Sequence, residues 1–379
     1  MKLVEKLRNI NKKALIAVAV CVALIIGIIV FDTVKKSTEY QTTTVAMGTV
    51  VTIRLFGPDG EENSQLVLEN INETEKALLS RNEKNSDIDR INSAPGTAVS
   101  VSYETAEIIS EALDISKNCE GVFDITVGEI TKLWDFGGKN QRLPSEEDIK
   151  ARLPYVTYSD VNVTDTTVAI AEGQSLDLGA VGKGAACDRI KTLLSATNTD
   201  SAVISVGGSL LLYGKKDFTI GITNPENDQA SMGSLELSET FVSTSGNYEK
   251  FFTQDGKTYH HILDATTGYP ADSRLSSVTV ICDSGLLSDA LSTACYILGY
   301  HQSLELLKQY DAQAVFIFKD KTVRLTDGIK EPERRRGRAT LPRRDRPESS
   351  ISDRNPNQEV ARWDCDFSKT MIKYSPFNS

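Results

Sequence analysis

The chain is poor in the features that most often announce a function. None of its six cysteines, Cys21, Cys119, Cys187, Cys282, Cys295 and Cys365, stands in a Cys-x-x-Cys pair. That argues against a zinc site, and the scatter argues against a disulfide framework. Buried free thiols are the simpler reading. No internal repeat is visible. The G-x-x-x-x-G-K-[ST] spacing of a phosphate loop is absent, as is a dinucleotide-binding glycine fingerprint. Positive charge is scarce where it would matter: the formal net charge is −10, and the middle of the chain is the most acidic part. A nucleic-acid surface needs a basic stripe, so none is expected. Any phosphate ligand must be met locally, by a metal, backbone N–H groups or single lysines. What remains is ordinary globular composition: 379 residues, 40% hydrophobic and 25% charged.

The longest apolar run lies at the start. Residues 14–31, ALIAVAVCVALIIGIIVF, are uncharged and approach the roughly 20 residues that cross a bilayer as a helix. Lys2, Lys6, Arg8, Lys12 and Lys13 precede the run, and only Lys35 and Lys36 follow closely. That asymmetry predicts a cytoplasmic basic segment over 1–13, a single transmembrane anchor over 14–31, and everything after it on the extracytoplasmic side. Two alternatives stay open. A lipoprotein signal half fits at Cys21, where Val20 is bulky for the preceding position. A cleaved signal fits less well, because the run is long and ends in Val30-Phe31.

Residues 32–40 read as a polar stalk. Beyond them, one domain is expected over 41–330. β-Branched residues predict strand from Thr42 to Phe56, interrupted at Met47-Gly48. Apolar spacing predicts helices over 61–79, from Ser86, over 103–117, 127–134 and 144–153. After Val161 strands dominate, in 161–163, 167–171, 201–214, 217–222, 233–237, 240–244, 259–264 and 275–282, with a last hairpin over 314–326. Helices are expected over 182–196, 285–298 and 301–310. Strands and helices without strict alternation indicate an α+β fold. After Lys330 the sequence turns arginine-rich and loses apolar periodicity. Residues 331–379 read as a disordered tail; a basic phosphate-binding tail and a segment foreign to the domain stay open.

Four segments place polar and glycine residues within otherwise apolar elements. The first is Ala46-Met47-Gly48-Thr49, where a strand bulge is the plain reading. The second holds Phe123 and Asp124, followed by Leu133-Trp134-Asp135-Phe136-Gly137. Here Asp124 could simply cap a helix and Trp134 could be core. The third, residues 176–188 (LDLGAVGKGAACD), reads as strand, glycine-rich turn and helix. Such a turn exposes N–H groups to an anion, and Lys183 adds a point charge. The fourth runs from Ser243 to Thr293 and includes Ser243-Thr244-Ser245-Gly246-Asn247-Tyr248, residues 260–268 (HHILDATTG) and Asp289-Ala290-Leu291-Ser292-Thr293. Asp289 and Thr293 are four apart on an expected helix and share one face, where a carboxylate and a hydroxyl suit Mg²⁺.

In this order the four segments resemble the FAD:protein FMN transferase (ApbE) family, from about Thr43 to Thr326. The resemblance implies a single flavin transferase domain. It implies FAD contacts from Met47, Asn82, Phe123, Asp124, Asp177, Lys183, His261 and Ile262. It implies Mg²⁺ held by the Ala180 carbonyl, Asp289 and Thr293, and catalytic parts for His261, Lys183 and Asp289. The implied reaction moves FMN from FAD to a threonine of a partner protein and releases AMP, so the nucleophile need not lie in this chain. His261, an imidazole that titrates near neutrality, could deprotonate the acceptor hydroxyl. Three positions depart from the family's usual pattern. Glu129 and Ala265 stand where proline is common, and Asn82 stands where many relatives carry tyrosine. Relatives with asparagine there are associated with hydrolysis of FAD to FMN and AMP. A flavin-binding protein without turnover and a membrane-anchored solute-binding protein remain as other classes; neither needs Mg²⁺ ligands.

Overall fold

A computed structural model describes residues 39–329. The basic segment, the anchor, most of the stalk and the tail lie outside the described residues. Among the described residues no helix is long and apolar enough to cross a membrane. The domain begins two residues earlier than expected, because Glu39 and Tyr40 already pair with Phe56 and Leu55.

In chain order, strands β1 (Glu39–Ala46) and β2 (Thr49–Phe56) lead into helix α1 (Gly60–Glu73), which continues as a π-helical turn over Thr74–Leu79. Helix α2 (Asp87–Asn92), strand β3 (Val99–Ser100) and helices α3 (Tyr103–Asn118), α4 (Gly128–Trp134) and α5 (Glu146–Arg152) follow. Strands β4 (Asn162–Val163) and β5 (Thr167–Ala169) precede helix α6 (Gly182–Ser195). Then come β6 (Ser201–Val206), β7 (Ser209–Gly214), β8 (Phe218–Asn224), β9 (Asn227–Leu237) and β10 (Thr240–Gly246). Short strands β11 (Phe251–Gln254), β12 (Lys257–His260), β13 (Leu263–Asp264) and β14 (Tyr269–Pro270) lead to β15 (Leu275–Cys282). Helices α7 (Gly285–Leu298) and α8 (Tyr300–Gln309) and strands β16 (Gln313–Phe318) and β17 (Val323–Leu325) end the described region.

The main sheet has eight strands in the order β1-β2-β6-β7-β10-β15-β16-β17, all neighbours antiparallel. Alternation along each strand divides its two faces. Ile204, Leu211 and Phe241 pack with Val67, Ile71, Ile190 and Leu194 of α1 and α6. Val278 and Val280 join Ala290, Leu291 and Tyr296 of α7. The opposite-facing Val203, Leu212, Val242 and Ile281 are covered by the β8–β9 ribbon through Phe218, Ile220 and Leu235. Every residue of β6 is therefore buried, Ser201 and Ser205 included.

Three local expectations change. Met47-Gly48 is a two-residue hairpin turn and not a bulge, since Ala46 pairs with Thr49 and both turn residues have positive φ, 52° and 66°. The expected strand over 259–264 breaks at His261. His260 ends one hairpin, while Leu263 starts a second pairing with Pro270. The break lets Ile262 enter the core and leaves His261 half-buried. Finally, the α1 helix widens at Thr74, whose hydroxyl bonds back to the Asn70 carbonyl at 2.8 Å. Such π-turns cluster at functional sites.

Candidate active site

Helix α7 is apolar along most of its length, yet it buries Asp289, which is 3% exposed. A buried carboxylate needs partners. Asp289 Oδ2 accepts from the Gly184 N–H at 3.0 Å and from Lys183 Nζ at 3.3 Å. The approach that permits this depends on glycine. A Cβ on Gly184 would stand 2.0 Å from the Gly285 carbonyl oxygen and 2.8 Å from Asp289 Cβ. The α6 start and α7 therefore touch backbone to backbone. Gly184 lies in the first turn of α6, where an N–H has no acceptor within the helix, and Asp289 supplies one. The Ala180 carbonyl lies just before the α6 N-cap, Val181.

Asp188, on α6, fastens the same two helices further along. Its Oδ1 accepts from the Gly285 N–H at 2.8 Å and its Oδ2 from the Leu286 N–H at 2.7 Å. A carboxylate on the first N–H groups of α7 satisfies donors that the helix itself cannot. On the sheet side, hydroxyls join α7 to β10: Ser243 to Ser288 at 2.8 Å, Ser245 to Ser292 at 2.7 Å and Ser245 to Thr293 at 3.0 Å. Thr293 and Asp289 thus face the strand end that leads to Asn247 and Tyr248.

Lys183 is held between charges. Burial alone would lower its pKa, but the Asp289 and Glu249 carboxylates outweigh that and keep it above its usual value. Its stem lies against the β6–β7 turn, with Cδ 3.3 Å from where a Gly207 Cβ would be. Glu249 reaches the same turn, its Oε1 3.3 Å from a Cβ placed on Gly208. Glu249 is exposed overall. The surrounding cleft still desolvates its carboxyl and, with the charge of Asp289, pushes it up to about 7 against the pull of Lys183 and Lys250.

His261 stands where the β11–β12 hairpin closes. Its N–H donates to the Lys250 carbonyl at 3.0 Å, and its Nδ1 lies 3.3 Å from the same oxygen. A carbonyl only accepts, so Nδ1 carries the proton and Nε2 presents a lone pair. Burial, then Lys250 and Lys183, hold its pKa down to about 3, and the ring is neutral at neutral pH.

The other expected residues divide. Met47 lies over the start of α6, its Cε 3.7 Å from a Cβ placed on Gly182, and its N–H donates to Glu75 Oε2 at 2.8 Å. Asp177 accepts from the Gly179 N–H at 2.9 Å, from Thr131 Oγ1 at 2.7 Å and from Arg81 at 2.9 Å. Arg81 thereby fastens the 80–86 loop, and with it the exposed Asn82, to the glycine-rich segment. Phe123 and Ile262 are side chains of one core cluster. Asp124 is 5% exposed, and its oxygens accept from Thr126 N and Oγ1 and from Tyr158 N, each at 2.8 Å. Its carboxylate thus shapes the loop and does not cap α4, which has no side-chain cap. Trp134 is core, with Nε1 donating to the Gly268 carbonyl at 2.9 Å.

The family model described as the ApbE family matches residues 47–317. The chain belongs to the ApbE family. Curated relatives named FAD:protein FMN transferase include one from Klebsiella pneumoniae (strain 342), 35% identical over 293 residues, which are 76% of this chain and 92% of the relative. Another, from Treponema pallidum (strain Nichols), is 31% identical over 317 residues, 77% of this chain and 88% of the relative. The crystal structure of the ApbE protein from Thermotoga maritima aligns with a TM-score of 0.72 at 30% identity, covering 76% of this chain and 97% of that one. The ApbE match runs from the Met47 turn to β16 and so takes in all four segments.

Sequence reasoning missed Arg81, Thr131, Glu75, Asp188 and Glu249. Arg81, Thr131, Glu75 and Glu249 sit in no motif with chemical spacing. Only the Asp188 position, closing the glycine-rich segment, carried a signal that could have found it.

Proposed function

We propose that this ApbE-family protein is a Mg²⁺-dependent FAD:protein FMN transferase that attaches FMN to a threonine of a partner protein and releases AMP. Relatives of that name support the transfer reading. The observation that carries it is the meeting of Lys183 and Asp289 at the start of α6, with Thr293 one turn along α7 and His261 close enough to Lys183 to feel its charge.

The donor set suits a hard cation. A carbonyl, a carboxylate and a hydroxyl are all oxygen ligands, and Mg²⁺ keeps further positions for phosphate and water. Among the described residues no group of three or more His, Cys, Asp or Glu side chains forms a metal site; the proposed set does not need one, having a single carboxylate. Ala180, Asp289 and Thr293 would hold the ion. When bound, it supplies charge neutralisation for the pyrophosphate.

Lys183, kept charged by the Asp289 and Glu249 carboxylates, orients the diphosphate. The acceptor hydroxyl oxygen attacks the FMN-side phosphorus. A new O–P bond forms, and the bond to AMP breaks with its electron pair leaving on AMP. The hydroxyl proton passes to the His261 Nε2 lone pair. A base held down to about 3 is weak at neutral pH. A diphosphate beside Lys183 and Lys250 would offset the part of the depression that their charges add to burial. Met47 and the Phe123 loop flank the flavin side, and Asp177 and Ile262 complete the binding wall.

The reading places this domain outside the cell membrane behind a single anchor at residues 14–31, where FAD and the acceptor would be met. Mass spectrometry of a candidate acceptor after incubation with the full chain, FAD and Mg²⁺ tests it. One FMN gained on threonine, and lost in Asp289→Ala or with chelator, is the expected result. An acceptor left unmodified throughout refutes it. Asn82, which stands where many relatives carry tyrosine, supports a companion hydrolysis of FAD. AMP release without acceptor tests that, and its absence removes it.

A further inference from the structure

The hydroxyls that join β10 to α7 carry one proton each, so their hydrogen bonds cannot be oriented independently. Ser288 and Ser292 are fully buried, and each reaches a main-chain carbonyl three residues earlier on α7. Ser288 Oγ lies 2.8 Å from the Gly285 oxygen, and Ser292 Oγ lies 2.8 Å from the Asp289 oxygen. A carbonyl only accepts, so both serines commit their protons to the helix backbone.

The other protons follow by elimination. Ser243 meets Ser288 at 2.8 Å and must donate to it. Ser245 meets Ser292 at 2.7 Å and must donate likewise. Ser245 also meets Thr293 Oγ1 at 3.0 Å. Its one proton already lies on the path to Ser292, so in this contact Thr293 donates. The layer of Ser288 ends at Ser243. The layer of Ser292 runs one hydroxyl further, in the order Thr293 to Ser245 to Ser292 to the Asp289 carbonyl. The Thr293 proton therefore faces β10, and neither lone pair of its Oγ1 is used within this path. Unlike the two helix serines, Thr293 is only partly buried, so that oxygen can be reached. A hydroxyl ligates a hard cation through a lone pair, with its proton directed elsewhere.

We infer that Ser245 and Ser292 are positioning residues that fix the Thr293 hydroxyl as an acceptor-only oxygen, preset for the cation. The inference rests on the reading of Asp289 and Thr293 as Mg²⁺ ligands. Asp289 then acts twice. Its carboxylate serves the ion, and its main-chain carbonyl, by holding the Ser292 proton, sets the direction of every hydroxyl up to Thr293.

Mn²⁺ suits the same oxygen ligands as Mg²⁺. Titrating it into the full chain, with the free ion counted by electron paramagnetic resonance, tests the inference without turnover. Thr293→Val should weaken binding by about tenfold or more, and Ser245→Ala and Ser292→Ala by about tenfold each, in the range that lost support of a metal ligand ordinarily costs. Ser243→Ala is the control: it removes a matching link between β10 and α7 that does not lead to Thr293, and should bind Mn²⁺ as the parent does. Equal losses in Ser243→Ala and Ser245→Ala would reduce Ser245 to packing and overturn the inference, as would parental affinity in Ser245→Ala. Parental affinity in Thr293→Val would overturn the metal reading itself, and the inference with it. A neutron structure of the metal-free protein needs no variant. The deuteron between Ser245 and Thr293 should belong to Thr293; one belonging to Ser245 overturns the inference.

Discussion

Replacing Gly184 by alanine puts a methyl carbon 2.0 Å from the Gly285 carbonyl oxygen, 2.5 Å from its carbon and 2.8 Å from Asp289 Cβ. Ordinary carbon–oxygen contact is above about 3 Å, so the α6 start and α7 must part by roughly 1 Å. Both obstacles are backbone or a Cβ, and neither can turn aside as a long side chain would. Overpacking of this kind costs about 1–3 kcal/mol. Alanine in place of glycine returns up to about 1 kcal/mol of helix propensity. The net expectation is a loss of about 1–2 kcal/mol, a drop in melting temperature of roughly 2–8 °C for a domain of this size. The effect on turnover should be larger. The same displacement moves Asp289 away from the Gly184 N–H at 3.0 Å and Lys183 at 3.3 Å. Misplacing a catalytic group by about 1 Å costs on the order of 100-fold. Calorimetry and FMN transfer to an acceptor, measured side by side, separate the two effects. A Gly184→Ala protein as stable and as active as the parent would refute the backbone contact between α6 and α7 as the support of Asp289.

Asp188→Asn keeps the shape but turns one of the two acceptor oxygens into an NH2 facing the α7 N–H groups, and should cost about 1–3 kcal/mol in urea unfolding; a change under about 0.3 kcal/mol would count against the Asp188 clasp. The pKa of His261 lies near 3 in the folded chain, below the usual 6.5. As pH falls the unfolded chain takes the proton first. The stability from this neutral ring is therefore full above about 6.5 and lost between 6.5 and 3. His261→Asn should flatten that acid limb, and an identical pH profile for both proteins would disprove the assignment. Met47→Gly relieves a left-handed φ of 52° that ordinarily costs about 1–3 kcal/mol. The variant is expected to be at least as stable as the parent but to bind FAD more weakly, and isothermal titration reads the second effect; unaltered FAD affinity would remove Met47 from the binding wall.

Much of the fold was legible because burial leaves a period. The strands β2, β7, β10 and β15 and the helices α3, α6 and α7 all lie within a few residues of where apolar spacing put them. The cleft was legible in its motifs, since glycine next to lysine and a carboxylate inside an apolar helix both run against the packing rule. The failures have particular causes. Met47-Gly48 looked like an interrupted strand because a hairpin turn is recognised by its pairing, and pairing is not local. The break at His261 is invisible in Tyr259-His260-His261-Ile262-Leu263-Asp264, whose composition suits a strand throughout. Asp124 read equally as a ligand or a helix cap, and the fold instead ties its carboxylate to the loop N–H groups of Thr126 and Tyr158, the second 34 residues away.

The sequence alone determined the α+β class, the acidic middle, the apolar run before the domain and the four segments that carry the ApbE resemblance. Each is a property of residues near one another along the chain. Tertiary structure alone decided that the first-turn Gly184 N–H finds Asp289 as its acceptor. It also decided that Asp188 and Arg81 fasten the cleft, and that His261 sits in a positive field. These are contacts across gaps of up to about a hundred residues. Their energies depend on distances and desolvation that no local pattern encodes.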